Sequence, residues 1–427
     1  MDPVLIATFL TIFALLALTV PIGISIGVGV IVGMIMGGLP PVFMAQKFFG
    51  ALDSFPLLAV PFFIMAGEIM QKGTMAQSLL DVARTLVGHK TGGMAHVSVV
   101  TSLFYGALSG SAAATTAAVG GIMIPAMERS GYPKPFAAAV NSASGCLGIL
   151  IPPSIPLIVY GSTAGVSIST LFIATIIPGL LCALALMLLC LFLCRRHGYG
   201  EPIQRASARE RFNAIWRAKY ALLVPIIILG GIYGGIATPT EAGAIAVVYA
   251  LLAEGLIMRS LSRRKMLEVL KGTVKMNAVI FLVVGSATGL GHIMMYYNLS
   301  DTVLSFITGF TDNRYVLLVL VCGILLVLGT FIEAVPIIVI VTPLLVPVLR
   351  TFGIDLVHFG VLMTVSFGVA VITPPVGMTL FVGASIANLS IEKLSLALVP
   401  FILTIITMLL LIAFIPELSL FLPSTMR

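Results

Sequence analysis

The sequence predicts an all-α polytopic membrane protein built from two inverted-topology repeats. Its composition gives the class, because 59% of its 427 residues are hydrophobic and only 9% are charged, whereas a soluble domain carries about 25% charged residues. Apolar stretches of about 17 to 25 residues, the length of a membrane-spanning helix, recur along the chain. A third observation, the regular recurrence of helix-breaking residues, indicates the duplication.

The second half of the chain repeats the helix-breaking residues of the first half at a constant offset. The offset is 222 residues (347 − 125 = 222). In a membrane protein, paired breaks in duplicated halves indicate a transporter whose site lies between the halves. The recurring residues are Pro125, Gly131, Pro152, Pro153, Gly161 and Pro178, followed by Pro347, Gly353, Pro374, Pro375, Gly383 and Pro400.

The first repeat is predicted to cover residues 1–205. Two scaffold helices within 4–38 meet at Pro21, a span covers 55–71, and the polar segment 72–90 is expected to be a loop. The apolar stretch 95–127 is interrupted by Ser109-Gly110-Ser111, which favours a re-entrant helical hairpin over one long helix. Residues 135–164 predict a helix broken at Ile151-Pro152-Pro153-Ser154, and a span over 170–194 follows.

The second repeat, residues 220–427, is predicted to follow the same plan. Its scaffold helices within 220–258 meet at Thr238-Pro239-Thr240, and a span covers 277–297. A hairpin over 316–350, a helix over 357–386 that breaks at 373–377, and a last span over 396–421 complete it.

Basic residues predict the orientation of the chain. The segments 195–219 and 259–275 are the most basic, so both are expected to face the cytoplasm. Within the first, 206–219 reads as a basic amphipathic linker lying in the membrane interface. Counting spans from these segments gives about ten crossings plus two hairpins that enter from opposite sides. The net charge of +7 is therefore a topology signal and does not indicate nucleic acid.

The breaks are the candidate site because they expose unpaired backbone groups at membrane depth, which is tolerated only inside protein or beside a wet cavity. Half-helix N-termini attract anions, while freed carbonyls coordinate cations such as sodium. Ser, Thr and Gly also allow close helix packing, which is the alternative interpretation of each single residue.

Few charged residues lie inside the apolar segments. Glu333 is the strongest candidate, since a carboxylate at depth costs about 2.5–3.5 kcal/mol on insertion scales. Glu241 is expected to cap the helix after Thr238. Glu68 and Asp53 are interpreted as interfacial, and His292 and His358 as structural. The five cysteines have no ligand spacing, so no transition metal and no disulfide are predicted.

Several segments together resemble the large membrane subunit of tripartite ATP-independent periplasmic (TRAP) transporters, over essentially the whole chain. The resemblance is carried by five motifs, each weak alone: Ala237-Thr238-Pro239-Thr240-Glu241-Ala242-Gly243-Ala244, Leu108-Ser109-Gly110-Ser111-Ala112, Ile151-Pro152-Pro153-Ser154-Ile155-Pro156, Thr373-Pro374-Pro375-Val376-Gly377, and Pro61-Phe62-Phe63 with Ala66-Gly67-Glu68.

The resemblance implies an elevator-type secondary transporter in the bacterial inner membrane that uses a sodium gradient to import an organic acid. It implies a periplasmic substrate-binding protein and a small four-helix membrane subunit as partners. The hairpins and broken helices would move against the scaffold helices 4–38 and 220–258. Many relatives have Asp where this chain has Glu333, so the ligand geometry there is expected to differ.

The expected binding site follows from the breaks and the resemblance. Sodium is expected at two sets of residues and the substrate, a sialic acid, C4-dicarboxylate or sugar acid, between the hairpin tips. The first sodium set is Ser109, Gly110, Ser111, Asn141, Ser142, Ser144, Gly145 and Ile151; the second is Thr330, Glu333, Ser366, Thr373 and Gly377; the substrate set is Ser111, Thr115, Ser154, Thr330, Pro374 and Thr379.

Two alternatives stay open at this point. A stand-alone sodium/dicarboxylate carrier or exchanger would need no binding protein. A membrane-embedded enzyme is disfavoured, because the chain has no His-Glu-x-x-His motif, and Asn141-Ser142-Ala143-Ser144-Gly145 lacks the first glycine of a rhomboid-type nucleophile motif.

Overall fold

The computed structural model describes residues 2–200 and 204–426, and within these ranges all regular structure is helical. Eight helices there are long and apolar enough to cross a membrane, or nine if a pair bent by 63° at Arg217–Lys219 counts as one span. The predicted fold class is confirmed.

The helices of the first half begin at local signals in the sequence. Asp2 accepts a hydrogen bond from the Val4 amide at 2.8 Å and caps the first helix, and Gly38 ends the second with φ +64°. A 3₁₀ turn, Phe55–Leu58, precedes α4. The helices are α1 Pro3–Ala17, α2 Ile22–Gly37, α3 Pro41–Leu52, α4 Ala59–Lys72, α5 Met75–Val87, α6 Gly93–Ser109, α7 Ala112–Arg129, α8 Lys134–Gly145, α9 Leu147–Leu150, α10 Ile155–Ala164, α11 Ile168–His197 and α12 Ala208–Arg217.

The second half has a matching order of helices. Ser207 and Thr238 each form a reciprocal cap with the glutamate three residues later, Glu210 and Glu241. The Thr238 cap confirms the prediction made for Glu241. The helices are α13 Lys219–Tyr233, α14 Pro239–Ala250 with a π-helical continuation Leu251–Ile257, α15 Arg263–Tyr296, α16 Leu299–Phe310, α17 Arg314–Phe331, α18 Ala334–Thr351, α19 Leu356–Ala370, α20 Met378–Ala387, α21 Ile391–Phe414 and α22 Glu417–Thr425.

Equivalent helices in the two halves begin at nearly the same offset as the prolines. α7 and α18 begin 222 residues apart (334 − 112 = 222), as do α8 and α19 (356 − 134 = 222). The cis bonds Pro152–Pro153 and Pro374–Pro375 occupy equivalent positions in the two breaks. The repeat read from the sequence is thus a repeat of helices.

The two halves exchange helices. We call α6–α7 hairpin one and α17–α18 hairpin two, with tip one at 109–111 and tip two at 330–333. After break one (151–154), α10 packs on α18 of hairpin two; after break two (371–377), α20 packs on α7 of hairpin one. The hydroxyl of Tyr160 in α10 donates to the Leu356 carbonyl, just beyond the base of hairpin two, at 2.7 Å.

This exchange also orients the hairpins. α8 leads from the base of hairpin one to break one, and α10 continues from tip one to the base of hairpin two. Likewise α20 runs from tip two to a position beside Gly120, part way down hairpin one, where its Ile386 lies. The bases of the two hairpins therefore lie at opposite ends of the bundle, which is the inverted arrangement.

Several boundaries differ from the predictions. The polar segment 72–90 contains α5, and most of 259–275 is the first part of α15 rather than a loop. α3 and α16 were not predicted. The last span ends at Phe414, because Pro416 interrupts it before α22. α1 and α2, of 15 and 16 residues, extend only about 23–24 Å, so the count of ten crossings stays a prediction.

A buried carboxylate joins two distant parts of the chain. Glu254, in the π-helical segment, accepts hydrogen bonds from the backbone N–H groups of Thr74 at 2.8 Å and Met75 at 2.7 Å. It also bonds the Ser260 hydroxyl. Its carboxylate therefore satisfies N–H groups at the start of α5, which have no partner within that helix.

Candidate functional site

Both hairpin tips, the residues that flank break one and the start of break two meet at one cavity of about 50 Å³, which we call the central cavity. Gly110 and Ser111 of tip one and Glu333 of tip two line it. Val371 contributes from break two, and Met276 and Ile280 of α15 close one side. The lining is mostly apolar, and among its described lining residues Glu333 is the only ionisable one.

Four helices point their N-termini at the central cavity. Its lining includes the first residues of α7 (Ala112), α10 (Ile155), α18 (Ala334) and α20 (Met378). A helix N-terminus carries a partial positive charge and free N–H groups, so each of the four favours an anion. Two N-termini come from each repeat, as the duplication predicts.

Each break is tied to the tip of its own repeat by one backbone hydrogen bond. The Ile155 amide donates to the Gly110 carbonyl at 3.4 Å, and the Gly377 amide donates to the Thr330 carbonyl at 3.2 Å. The two donors are equivalent in the repeat (377 − 155 = 222). Gly110 has φ +60°, a conformation that glycine adopts without a Cβ penalty.

Tip one gathers the hydroxyl groups that the sequence placed there. Ser109 and Thr115 are 2.9 Å apart, and the Thr115 hydroxyl lies 2.8 Å from the Ser111 carbonyl. Ser154 donates to the Ile149 carbonyl at 2.6 Å and bridges break one from inside. Ser109 and Ser111 also line a second, smaller cavity of about 20 Å³.

The residues 141–145 are fully buried on α8, and their side chains face in different directions. Asn141 donates through Nδ2 to the Thr116 carbonyl at 3.0 Å, while its Oδ1 has no hydrogen-bond partner in the described part of the chain. Ser144 pairs with Ser102 of α6 at 3.0 Å, and Ser142 lies against Gly383 of α20. Asn141 Oδ1 and Ser142 Oγ are thus the two buried side-chain oxygens of this set that have no partner among the described residues.

The hydroxyl groups of the second sodium set, and that of Thr379 in the substrate set, are local donors. Those of Thr330, Ser366, Thr373 and Thr379 donate to backbone carbonyls at 2.7–2.8 Å. A hydroxyl that donates in this way keeps its oxygen lone pairs free to accept a bond or to bind a cation.

Glu333 precedes the first residue of α18, and its carboxylate makes no hydrogen bond within that helix cap. The two breaks also differ in their surroundings. Residues 151–154 are buried, whereas Pro374, Pro375 and Val376 are exposed. Break two is therefore open to the surroundings of the protein, and break one is closed.

Glu68 lies near tip one, which the sequence did not indicate. It lies beside Tyr105 and Ser109 in the small cavity against tip one, and a Cβ at Gly272 of α15 would stand 2.9 Å from its carboxylate. Glu68 is half-buried and stands one turn before the end of α4, so its interfacial position stays a prediction. The neighbouring Gly67 has no side chain and packs against the Leu108 carbonyl. This glycine is what the sequence shows of the close packing of α4 on α6.

Other side chains have structural contacts. His358 pairs with Ser419 at 2.7 Å, and the five cysteines are buried and free. Across residues 2–200 and 204–426, no group of three His, Cys, Asp or Glu side chains is arranged to hold a metal ion. The sodium-binding and substrate-binding roles expected for the residues of both tips and breaks stay predictions.

Comparison with known proteins gives a consistent result. The family described as "Tripartite ATP-independent periplasmic transporter, DctM component" matches residues 9–418. The chain is 40% identical to the isethionate TRAP transporter permease protein DctMQ of Oleidesulfovibrio alaskensis, covering 90% of this chain but 61% of that protein. It is 39% identical to the sialic acid TRAP transporter large permease protein SiaM of Vibrio cholerae, with 89% of each chain covered.

Two further comparisons extend this result. The C4-dicarboxylate TRAP transporter large permease protein DctM of Pseudomonas aeruginosa is 36% identical, with 89% of each chain covered. The crystal structure of the Alcanivorax borkumensis YdaH transporter superposes with a TM-score of 0.61 at 15% identity, covering 87% of this chain and 86% of that one. At that identity the likeness concerns the fold alone.

Proposed function

Because this chain belongs to the family of DctM components of TRAP transporters, we propose that it imports an organic acid together with sodium. It is an integral membrane protein with many apolar helices, and it acts in transport rather than as an enzyme. The proposed location is the bacterial inner membrane.

The central cavity carries this proposal. Four helix N-termini converge there, and its lining, as far as the structure describes the chain, holds no arginine or lysine. A carboxylate or sulfonate group placed between the tips would accept bonds from free N–H groups without a cationic side chain. The names of the relatives, isethionate, sialic acid and C4-dicarboxylate, all denote organic anions. The proposed substrate contacts are those expected from the sequence: Ser111, Thr115, Ser154, Thr330, Pro374 and Thr379.

Glu333 gives the physical reason for sodium. An anion bound about 5 Å from its carboxylate would be repelled by about 3 kcal/mol at an effective dielectric constant of about 20. A sodium ion at tip two would cancel that repulsion, so cation and anion would bind better together than apart. Thr330, Ser366, Thr373 and Gly377 are the proposed companions of Glu333.

The first sodium position is proposed around tip one. Ser109, Gly110 and Ser111 supply the tip, Ile151 the break, and Asn141 a buried oxygen without a partner. Ser142, Ser144 and Gly145 lie on the same helix, although Ser144 is paired with Ser102. All three are proposed as part of the first sodium position, and Ser142 Oγ, like Asn141 Oδ1, is buried without a partner among the described residues.

The proposed movement is of elevator type. The hairpins and broken helices would move as one body, because α10 and α20 each pack on the hairpin of the other repeat. The helices within 4–38 and 220–258 would stay in place. The partners proposed are a small four-helix membrane subunit and a periplasmic substrate-binding protein. In the Oleidesulfovibrio relative, the remaining length is where a fused small subunit would lie.

Uptake into proteoliposomes tests this function. The vesicles would hold this chain and its small partner, with loaded binding protein outside, with and without an inward sodium gradient. Uptake that needs both the binding protein and sodium is the expected result. Uptake with sodium alone would favour a stand-alone carrier, and the absence of uptake under every condition would contradict the proposal.

The same assay tests Glu333. Glu333→Gln and Glu333→Ala should abolish the sodium dependence of uptake while leaving folding intact, because the charge that attracts the ion is lost. Glu392→Gln, which removes an exposed carboxylate at the start of α21, is the matched control. Unchanged sodium dependence in Glu333→Gln would remove Glu333 from the coupling site.

A further inference from the structure

A third cavity, of about 720 Å³, lies between α5 and α12 and shares no lining residue with the central cavity. We call it the basic cavity. The distribution of basic residues places it on the cytoplasmic side. Its lining comes from α5, the segment before α12, and one face of α12, and it includes three arginines, Arg84, Arg205 and Arg217.

α12 divides into two opposite faces. Glu210, Asn213, Ala214 and Arg217 follow the helical spacing i, i+3, i+4, i+7 and line the basic cavity. The opposite face carries Phe212, Ile215 and Trp216, whose exposed fractions are 64%, 42% and 60%. The rings of Phe212 and Trp216 stack 6.2 Å apart. One face is thus polar and concave, and the other is suited to lipid.

The geometry keeps α12 at the membrane surface. It meets α13 at a bend of 63°, so the two helices do not form one straight span. The Lys219 ammonium lies 3.9 Å from the centre of the Trp216 ring, an arrangement of charge and aromatic ring typical of the membrane interface.

The charges around the basic cavity are not balanced by ion pairs. In the described part of the chain, neither of the two ion pairs involves Arg84, Arg205 or Arg217. Of the two acidic residues in the lining, Asp81 and Glu210, Glu210 is already bonded to the Ser207 amide at 2.6 Å.

The surroundings add further positive charge. Arg211 Nε and His89 Nδ1 are buried and have no hydrogen-bond partner among the described residues. Burial, together with the nearby Arg205 and Arg211, lowers the pKa of His89. The His89 ring is therefore neutral, and its Nδ1 is a donor or an acceptor according to the tautomer. Arg211 Nε is a buried donor without an acceptor, and together with the three exposed arginines, which make no ion pair, it gives a surface suited to an anion.

We propose that the basic cavity binds the headgroup of an anionic phospholipid, whose acyl chains lie along Phe212 and Trp216. Arg84, Arg205 and Arg217 would contact the phosphate, because guanidinium groups match phosphate oxygens in pairs. The adjoining exposed aromatic face favours a lipid over free phosphate, since a free ion makes no use of it. A lipid in this position would join α5 to α12 on the cytoplasmic side.

The chain provides its own reporter, because Trp216 is its single tryptophan. Purified protein in zwitterionic detergent would be titrated with phosphatidylglycerol carrying brominated acyl chains, which quench a tryptophan only on contact. Brominated phosphatidylcholine is the comparison lipid. Each arginine is expected to favour the anionic lipid by about fivefold, so half-quenching should need at least an order of magnitude less phosphatidylglycerol.

Two double variants make the test specific. Arg84→Gln with Arg217→Gln should lose most of the preference, whereas Arg195→Gln with Arg196→Gln should keep it. The second pair removes the same charge from the cytoplasmic end of α11, outside the cavity. Near-ultraviolet circular dichroism would establish that both variants are folded.

Three results would overturn the proposal. The first is equal quenching by the two lipids in the unmodified protein. The second is an equal loss of preference in both double variants, which would indicate general surface charge. The third is removal of the preference by millimolar inorganic phosphate alone, which would assign the cavity to the free ion.

Discussion

Replacing Glu254 with alanine should destabilise the protein more than any other single loss of a carboxylate considered above. The buried side chain accepts two backbone hydrogen bonds, from Thr74 and Met75, and one from Ser260. A hydrogen bond to a charged group contributes about 1.5–3 kcal/mol, so the two backbone bonds alone predict a loss of about 3–6 kcal/mol. Met75 is fully buried, so water cannot replace the acceptor without opening the start of α5.

Equilibrium unfolding in mixed detergent micelles would measure this loss. Hydrogen exchange at the Thr74 and Met75 amides would show whether it is local to α5. Glu268→Ala is the control, because that carboxylate makes only exposed ion pairs, with Lys72 at 3.5 Å and Arg264 at 3.6 Å. Such pairs contribute about 0–1 kcal/mol.

A second variant approaches the same contact from the other side. A Cβ at Gly73 would overlap the Glu254 carboxylate, so Gly73→Ala should also speed exchange at the start of α5. A loss below about 1 kcal/mol in Glu254→Ala, or equal losses in Glu254→Ala and Glu268→Ala, would refute the argument that this carboxylate holds α5 in place.

The other predictions concern one close packing contact and one titration. Gly383→Ala would place a Cβ against the Ser142 hydroxyl and should cost about 1–3 kcal/mol; a double variant with Ser142→Ala should recover most of it in the same unfolding assay. In zwitterionic nanodiscs, His89 should titrate below its usual pKa of 6.5, so its ring is neutral at pH 7. Its contribution to stability should therefore fall as the pH drops below 6.5. Phosphatidylglycerol should raise the pKa of His89, because its negative charge screens Arg205 and Arg211. NMR of labelled histidine would measure this pKa, and an unchanged pKa would contradict the prediction.

The repeat and its breaks were predictable because they depend on residues whose effect is local. Of the recurring prolines, Pro152–Pro153 and Pro374–Pro375 lie in the breaks, so both breaks follow from sequence position. Pro125, Pro178, Pro347 and Pro400 lie inside helices instead, although each keeps its place in the repeat. The capping role of Glu241 was predictable for the same reason, since its partner Thr238 is three residues away.

α5 was missed although the sequence contained a signal. Its buried residues Met75, Leu79, Leu80, Val82 and Ala83 lie mostly on one helical face. The charged residues Lys72, Arg84 and Lys90 make the segment polar, and that polarity favours a loop. A short amphipathic helix beside a membrane has the composition of a loop and the periodicity of a helix, and only the second property identifies it.

The roles of Glu68 and Glu254 were not predictable from local sequence. Glu254 bonds residues 179 and 180 positions away, and Glu68 reaches tip one through the packing of α4 on α6. Each is an isolated carboxylate in an apolar stretch, and only the tertiary contacts distinguish a helix anchor from a neighbour of the site.

The exchange of helices between the halves imposes an order on biosynthesis. α10 ends at residue 164 and its partner α18 begins at 334, so 169 residues (334 − 164 − 1 = 169) separate the two. At about 5–20 residues per second, a ribosome needs roughly 10–30 s to supply them. In the finished protein α10 is buried along nearly its whole length. Throughout that interval, therefore, the newly made α10 has to lie in the bilayer or against the insertion machinery without its partner.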